Sequence, residues 1–108
     1  MATVHLNGEQ LTTWEEFHAQ CQGAFGFPDF YGRNLDAFID CLSYLRDDDG
    51  MSKFRLKPNE KLRIEVKQSE VLRQKAPDIL AELAFCIDAL NERYADYGEL
   101  PALELALL

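Results

Sequence analysis

Two carboxylates one helical turn apart, Asp36 and Asp40, are the residues in this chain whose type and spacing point most directly to chemistry. At about 100° per residue on an ideal helix, Asp36, Asp40, Ser43 and Asp47 fall within a stripe about 60° wide. Leu35, Phe38, Cys41, Leu42 and Leu45 gather on the opposite side. One face is thus suited to a core and the other to a positively charged partner. Paired carboxylates can share general acid and base work, or they can accept charge-assisted hydrogen bonds from arginine, lysine and histidine. An acidic first turn also stabilises any helix through its dipole, which by itself accounts for Asp36 more readily than for Asp40. Neither acid is expected to have a buried partner.

The catalytic reading needs further groups. His5 and His18 are the only imidazoles, and His5 falls in an expected strand. No nucleophile motif, phosphate-cradling glycine loop or metal-ligand cluster is present. The run Asp47, Asp48, Asp49, Gly50 only superficially resembles a calcium loop, since Leu45 and Leu56 would occupy its first and twelfth positions. The sequence therefore predicts no catalytic residues, no metal and no cofactor. Side chains aligned along an exposed helix form a convex ridge, whereas catalysis needs concavity. Ile39 and Tyr44 flank the acidic stripe at about −60° and +80° from Asp36, where they would supply apolar contact. Phe30, Tyr31 and Gly32 precede the helix, Asn34 is its expected N-cap, and Gly32 is expected to allow a close backbone approach or a positive φ. Packing beneath the loop is the alternative for Tyr31.

These residues must be held by a framework. The alternating segment Ala2 to Leu6 reads as a strand closed by Asn7 and Gly8. Thr13 to Glu16 has the form of a capping box opening a helix to about Phe25, with Trp14, Phe17, Cys21 and Phe25 toward the core. The helix bearing the carboxylates is expected from Asn34 to about Arg46. Leu62, Ile64 and Val66 alternate with charged residues as a second strand, followed by a short helix from Ser69 to Ala76. Pro77 suits the first position of a last helix, with Leu80, Leu83, Ile87, Leu90 and Tyr94 at core spacing and Asp88, Glu92, Asp96 and Glu99 as a second acidic stripe. Leu103 to Leu107 closes the chain as a third strand. Strands separated by helices predict an α/β fold: a single layer of three parallel strands packed with about four helices, as one domain over residues 1–108.

The segment from Pro28 through Tyr31, Gly32, Arg33, Asn34, Leu35 and Asp36 to Leu42 resembles the signature of the barstar family of ribonuclease inhibitors. Val4 to Gln10 is similar to that family's first strand and turn. The resemblance implies the same α/β architecture and an intracellular inhibitor, or immunity protein, that blocks a cytotoxic ribonuclease by inserting an acidic helix and its preceding loop as a phosphate mimic. It places Asp40 as the central mimic, surrounded by Gly32, Asn34, Leu35 and Asp36. Phe30, Tyr31, Ile39, Ser43, Tyr44, Asp47 and Glu92 complete the expected partner-binding set. In the best-known family member the positions matching Phe30 and Ile39 are tyrosine and tryptophan. The alternative is therefore an immunity or regulatory protein whose target is a toxin that is not a ribonuclease.

Charge and composition fit that expectation. The chain has a formal net charge of −8 and 108 residues, with six acids against two bases between residues 29 and 50 and seven acids against one base between residues 77 and 108. Such a balance argues against nucleic acid as a partner, because phosphate binding needs a basic surface. It favours a basic secreted or toxin enzyme in a one-to-one complex. No apolar run approaches the length of a membrane span, so no membrane partner and a cytoplasmic location are expected. Cys21, Cys41 and Cys86 have no metal or redox spacing and read as buried reduced thiols.

Overall fold

A computed structural model describes residues 2–108. The elements run β1 (Ala2–Asn7), a 3₁₀ turn (Gly8–Gln10), α1 (Trp14–Phe25), α2 (Leu35–Leu42), β2 (Leu62–Lys67), α3 (Ser69–Lys75), α4 (Pro77–Asp96) and β3 (Leu103–Leu107). The three strands form one parallel sheet in the order β1-β2-β3, so the expected α/β class is borne out. Val4 pairs with Ile64, and Ile64 with Leu105. Strand β2 alternates buried Leu62, Ile64 and Val66 with half-buried Arg63 and Glu65. Parallel sheets are usually covered on both faces; here the outward face is polar and carries an Arg63–Glu65 ion pair at 2.9 Å and a His5–Glu65 contact at 3.1 Å.

The core lies on the other face, where Phe17, Cys21 and Phe25 of α1 and Phe38 and Leu42 of α2 meet Leu83, Leu90 and Tyr94 of α4. Thr13 caps α1 by accepting from the Glu16 amide at 3.1 Å, and Gly26 ends it in the left-handed region at φ 69°. A Cβ at Gly26 would press into the Lys53 side chain, so glycine is needed there for both conformation and space. Pro77 is the first residue of α4, as its fixed φ favours.

Several expectations need correction. Trp14 sits at the rim, 36% exposed, stacked on His18 instead of filling the core. On α4, Ile79 is buried and Leu80 is only half-buried. The largest difference concerns α2, which ends at Leu42 and not near Arg46. The reason is tertiary. The buried Tyr94 hydroxyl donates to the Leu42 carbonyl at 2.6 Å and accepts from the Leu45 amide at 3.0 Å, meeting backbone groups that another helical turn would have used. Leu45 still reaches the core, but from a turn.

Candidate functional site

The acidic face is built on α2, an eight-residue helix of four apolar core-side positions. Asn34 caps it as expected: its side-chain oxygen accepts from the Ala37 amide at 2.8 Å, while its amide nitrogen donates to the Gly32 carbonyl at 3.3 Å. A Cβ on Gly32 would lie 3.2 Å from that amide nitrogen, so the absence of a side chain protects the cap. Of the two roles expected of Gly32 it is the close approach that is seen, while a positive φ falls on Arg33, at 53°. Arg33 is steadied there by a 3.2 Å hydrogen bond from its guanidinium to Gln22.

Phe30, Gly32, Asn34, Asp36 and Asp40 are all exposed, and Leu35 and Ile39 are half-buried. Phe30 is 77% exposed, an unusual degree for a phenyl ring. Its neighbour Tyr31 takes the opposite course and packs beneath the loop, 6% exposed, against Phe27 at a ring separation of 4.8 Å. The Tyr31 hydroxyl meets Nδ1 of buried His18 at 2.7 Å. Burial, with the Arg33 charge second, holds the His18 pKa below its ordinary value, so the ring is kept neutral. Burial likewise pushes the Tyr31 hydroxyl up. Tyr31 is therefore a support for the loop, not a part of its surface.

Ser43 is also placed differently from expectation. It is 2% exposed, donates to the Ile39 carbonyl at 2.6 Å and accepts from Arg93 Nη1 at 3.0 Å. The same Arg93 nitrogen lies 3.5 Å from Asp40 Oδ1, so Asp40 has an internal counter-ion that sequence reasoning missed. A signal for it existed: Arg93 is the lone base of residues 77–108. Asp36 is exposed, with no ion pair among the described residues. Asp47 and Tyr44 are exposed in the turns after α2, where with Ser43, Tyr94, Tyr97 and Glu99 they line a shallow cavity of about 360 Å³. Glu99, expected in the second acidic stripe, pairs with Arg46 at 3.3 Å beyond the end of α4. Glu92 is exposed on α4, next to Arg93.

The arrangement is a ridge: two exposed carboxylates, a protruding aromatic and a capped helix start. His5 is on the outer face of the sheet and His18 is buried, so neither imidazole is offered beside these acids as a free acid or base. Among the described residues no group of three or more His, Cys, Asp or Glu is placed to hold a metal ion. No helix among them is long and apolar enough to cross a membrane. Cys21, Cys41 and Cys86 are free and buried, and burial raises the Cys86 thiol to about 11.

A Bacillus subtilis (strain 168) protein named "Putative ribonuclease inhibitor YrdF" is 40% identical over 43 residues, covering 40% of this chain and 47% of that relative. The matched stretch thus spans about half the length of the curated relative. The family model described as Barstar (barnase inhibitor) matches residues 1–106. On that match, which takes in β1, β2, all four helices and all but the last residue of β3, the chain belongs to the Barstar family.

Proposed function

We propose that this chain inhibits a cytotoxic ribonuclease by laying α2 and the loop before it into the enzyme's cationic, phosphate-binding cleft. The observation that carries the reading is the pairing of exposed Asp36 and Asp40 along one side of α2, with an exposed Phe30 ring in the loop before it, in a chain of the Barstar family. Two carboxylates at helical spacing occupy phosphate positions and accept hydrogen bonds from the enzyme's arginines, lysines and histidines. Phe30, Ile39 and Tyr44 exclude water around the charged contacts, which is the arrangement of an energetic hot spot inside an apolar ring. Asp47 and Glu92 lie outside that centre and steer approach. The complex is one-to-one, since a single ridge fills a single cleft, and the inhibitor acts in the cytoplasm, where the enzyme would otherwise do harm.

The test is titration of the purified protein into an RNA-cleavage assay with barnase, the ribonuclease named by the family's description. Stoichiometric inhibition that Asp40→Ala abolishes while the thermal melt stays unchanged supports the reading. The same melt with inhibition unaffected by Asp36→Ala and Asp40→Ala would put the binding face elsewhere. RNA cleavage by the protein itself, lost in Asp36→Asn and Asp40→Asn, would replace an inhibitor with an enzyme.

A further inference from the structure

Arg93 is a cation held against Asp40 of the acidic face, and its place there is built. It projects from α4 with its side chain 39% exposed, and its Nη1 donates to Ser43 Oγ at 3.0 Å. Ser43 is itself fixed: it is 2% exposed, and its own proton goes to the Ile39 carbonyl at 2.6 Å, which turns its lone pairs toward Arg93. The guanidinium is thus held at one end by a buried hydroxyl. The same nitrogen lies 3.5 Å from Asp40, which is 63% exposed. That distance makes a loose ion pair, leaving Asp40 with lone pairs for a second cation. The remaining donors of the Arg93 fork have no partner among the described residues.

We propose that Arg93 determines which enzymes this face accepts, by requiring the target cleft to present a carboxylate beside the cations that meet Asp36 and Asp40. The proposal rests on the inhibitor reading above and names the chemistry of the partner. A cleft that is only cationic would bring its charges against Arg93 as well as Asp40, and closing the interface would strand the unpaired guanidinium donors away from water. A target carboxylate removes both costs, because it fits the planar fork with two parallel hydrogen bonds. The centre of the ridge is then a cation beside an anion that demands the complementary order, and specificity comes from what the pair repels as much as from what it attracts.

Two capped peptides without terminal charges probe this directly: acetyl-hexa-arginine amide, and the same peptide with its third arginine replaced by glutamate. Their affinities for the wild type, Arg93→Gln and Arg73→Gln are measured by calorimetry at low salt. Arg73 is an exposed residue of α3 paired with Glu70, so its replacement changes the net charge equally but far from Ser43 and Asp40. The expected result is that Arg93→Gln tightens hexa-arginine binding about threefold to tenfold and Arg73→Gln less than about twofold, as local charge effects exceed screened remote ones. The glutamate in the second peptide should cost the wild type less affinity than it costs Arg93→Gln, a coupling of about threefold or more. Equal behaviour of Arg93→Gln and Arg73→Gln, or no coupling, overturns the proposal. Inhibition of barnase is scored separately, so a protein that shows the peptide selectivity yet leaves barnase active refutes inhibition of that enzyme and not the role of Arg93.

Discussion

Replacing Tyr94 with phenylalanine removes one oxygen and tests whether the end of the acidic helix is held by a hydrogen bond or merely by packing. The ring is 1% exposed, and its hydroxyl serves both the Leu42 carbonyl at 2.6 Å and the Leu45 amide at 3.0 Å. Leu42 and Leu45 are themselves buried, so water cannot take the hydroxyl's place without opening the turn. Each stranded buried backbone group costs about 1–3 kcal/mol. Partial relaxation and the relief of burying the hydroxyl itself bring the expected loss for the pair to about 2–4 kcal/mol. For a domain near this size that lowers the melting temperature by roughly 8–16 °C, at about 4 °C per kcal/mol. Urea unfolding should show a lower midpoint with an unchanged slope, because the surface buried stays the same. Hydrogen exchange should show the Leu45 amide losing protection. Tyr97→Phe, in a ring 51% exposed, is the control and should stay within about 0.5 kcal/mol. A Tyr94→Phe loss no larger than that control would refute the account of why α2 stops at Leu42.

Three further outcomes are expected. Phe38→Ala should cost about 3–5 kcal/mol in urea unfolding, since the ring is fully buried against Phe17 and Phe25, whereas Asp40→Ala should cost at most about 1 kcal/mol because Asp40 is largely solvated and its 3.5 Å pairing with Arg93 is loose. Stability should fall as pH drops below the ordinary histidine value of 6.5: His18 has a lowered pKa when folded, so the unfolded chain binds more protons, stability is full above 6.5 and is lost down through the folded value. Urea midpoints between pH 7.5 and 5 should show that loss in the wild type and a shallower one in His18→Gln. Joint neutralisation of Asp47, Asp48 and Glu92 should slow association with barnase and flatten its salt dependence, leaving dissociation nearly unchanged in stopped-flow measurements; a faster dissociation would place those acids inside the contact.

Local chemistry explains which parts of this molecule were legible from the residues. The strands, the Thr13 and Asn34 caps, the Gly26 stop and the Pro77 start are set by neighbours three or four positions away, and each is where the sequence places it. The exposed run of Asp36 and Asp40 opposite Phe38 and Leu42 follows from helical period alone. What escaped depends on partners far along the chain. Periodicity carries α2 on to Arg46, and only a hydroxyl 52 residues past Leu42 ends it sooner. Ser43 reads as a surface group and Tyr31 as either contact or packing, because nothing nearby reveals that Arg93 and His18 bind them from other helices. Arg93 was visible as a lone base among acids, but its orientation toward Asp40 depends on how α4 packs on α2.

The order of the sheet also has a consequence in time. Its central strand is β2, so the first strand must wait for a partner 60 positions later, as the Ala2–Leu62 pairing requires. At translation rates of about 5–20 residues per second, that wait is roughly 3–12 s. The outer strand β3 arrives only with residues 103–107. A helix of eight residues is far too short to persist alone in water, and the tyrosine that fastens its end belongs to α4. A nascent chain that has already exposed both carboxylates therefore lacks the surface that displays them. The ridge comes into being late, only after synthesis has passed Tyr94 of α4.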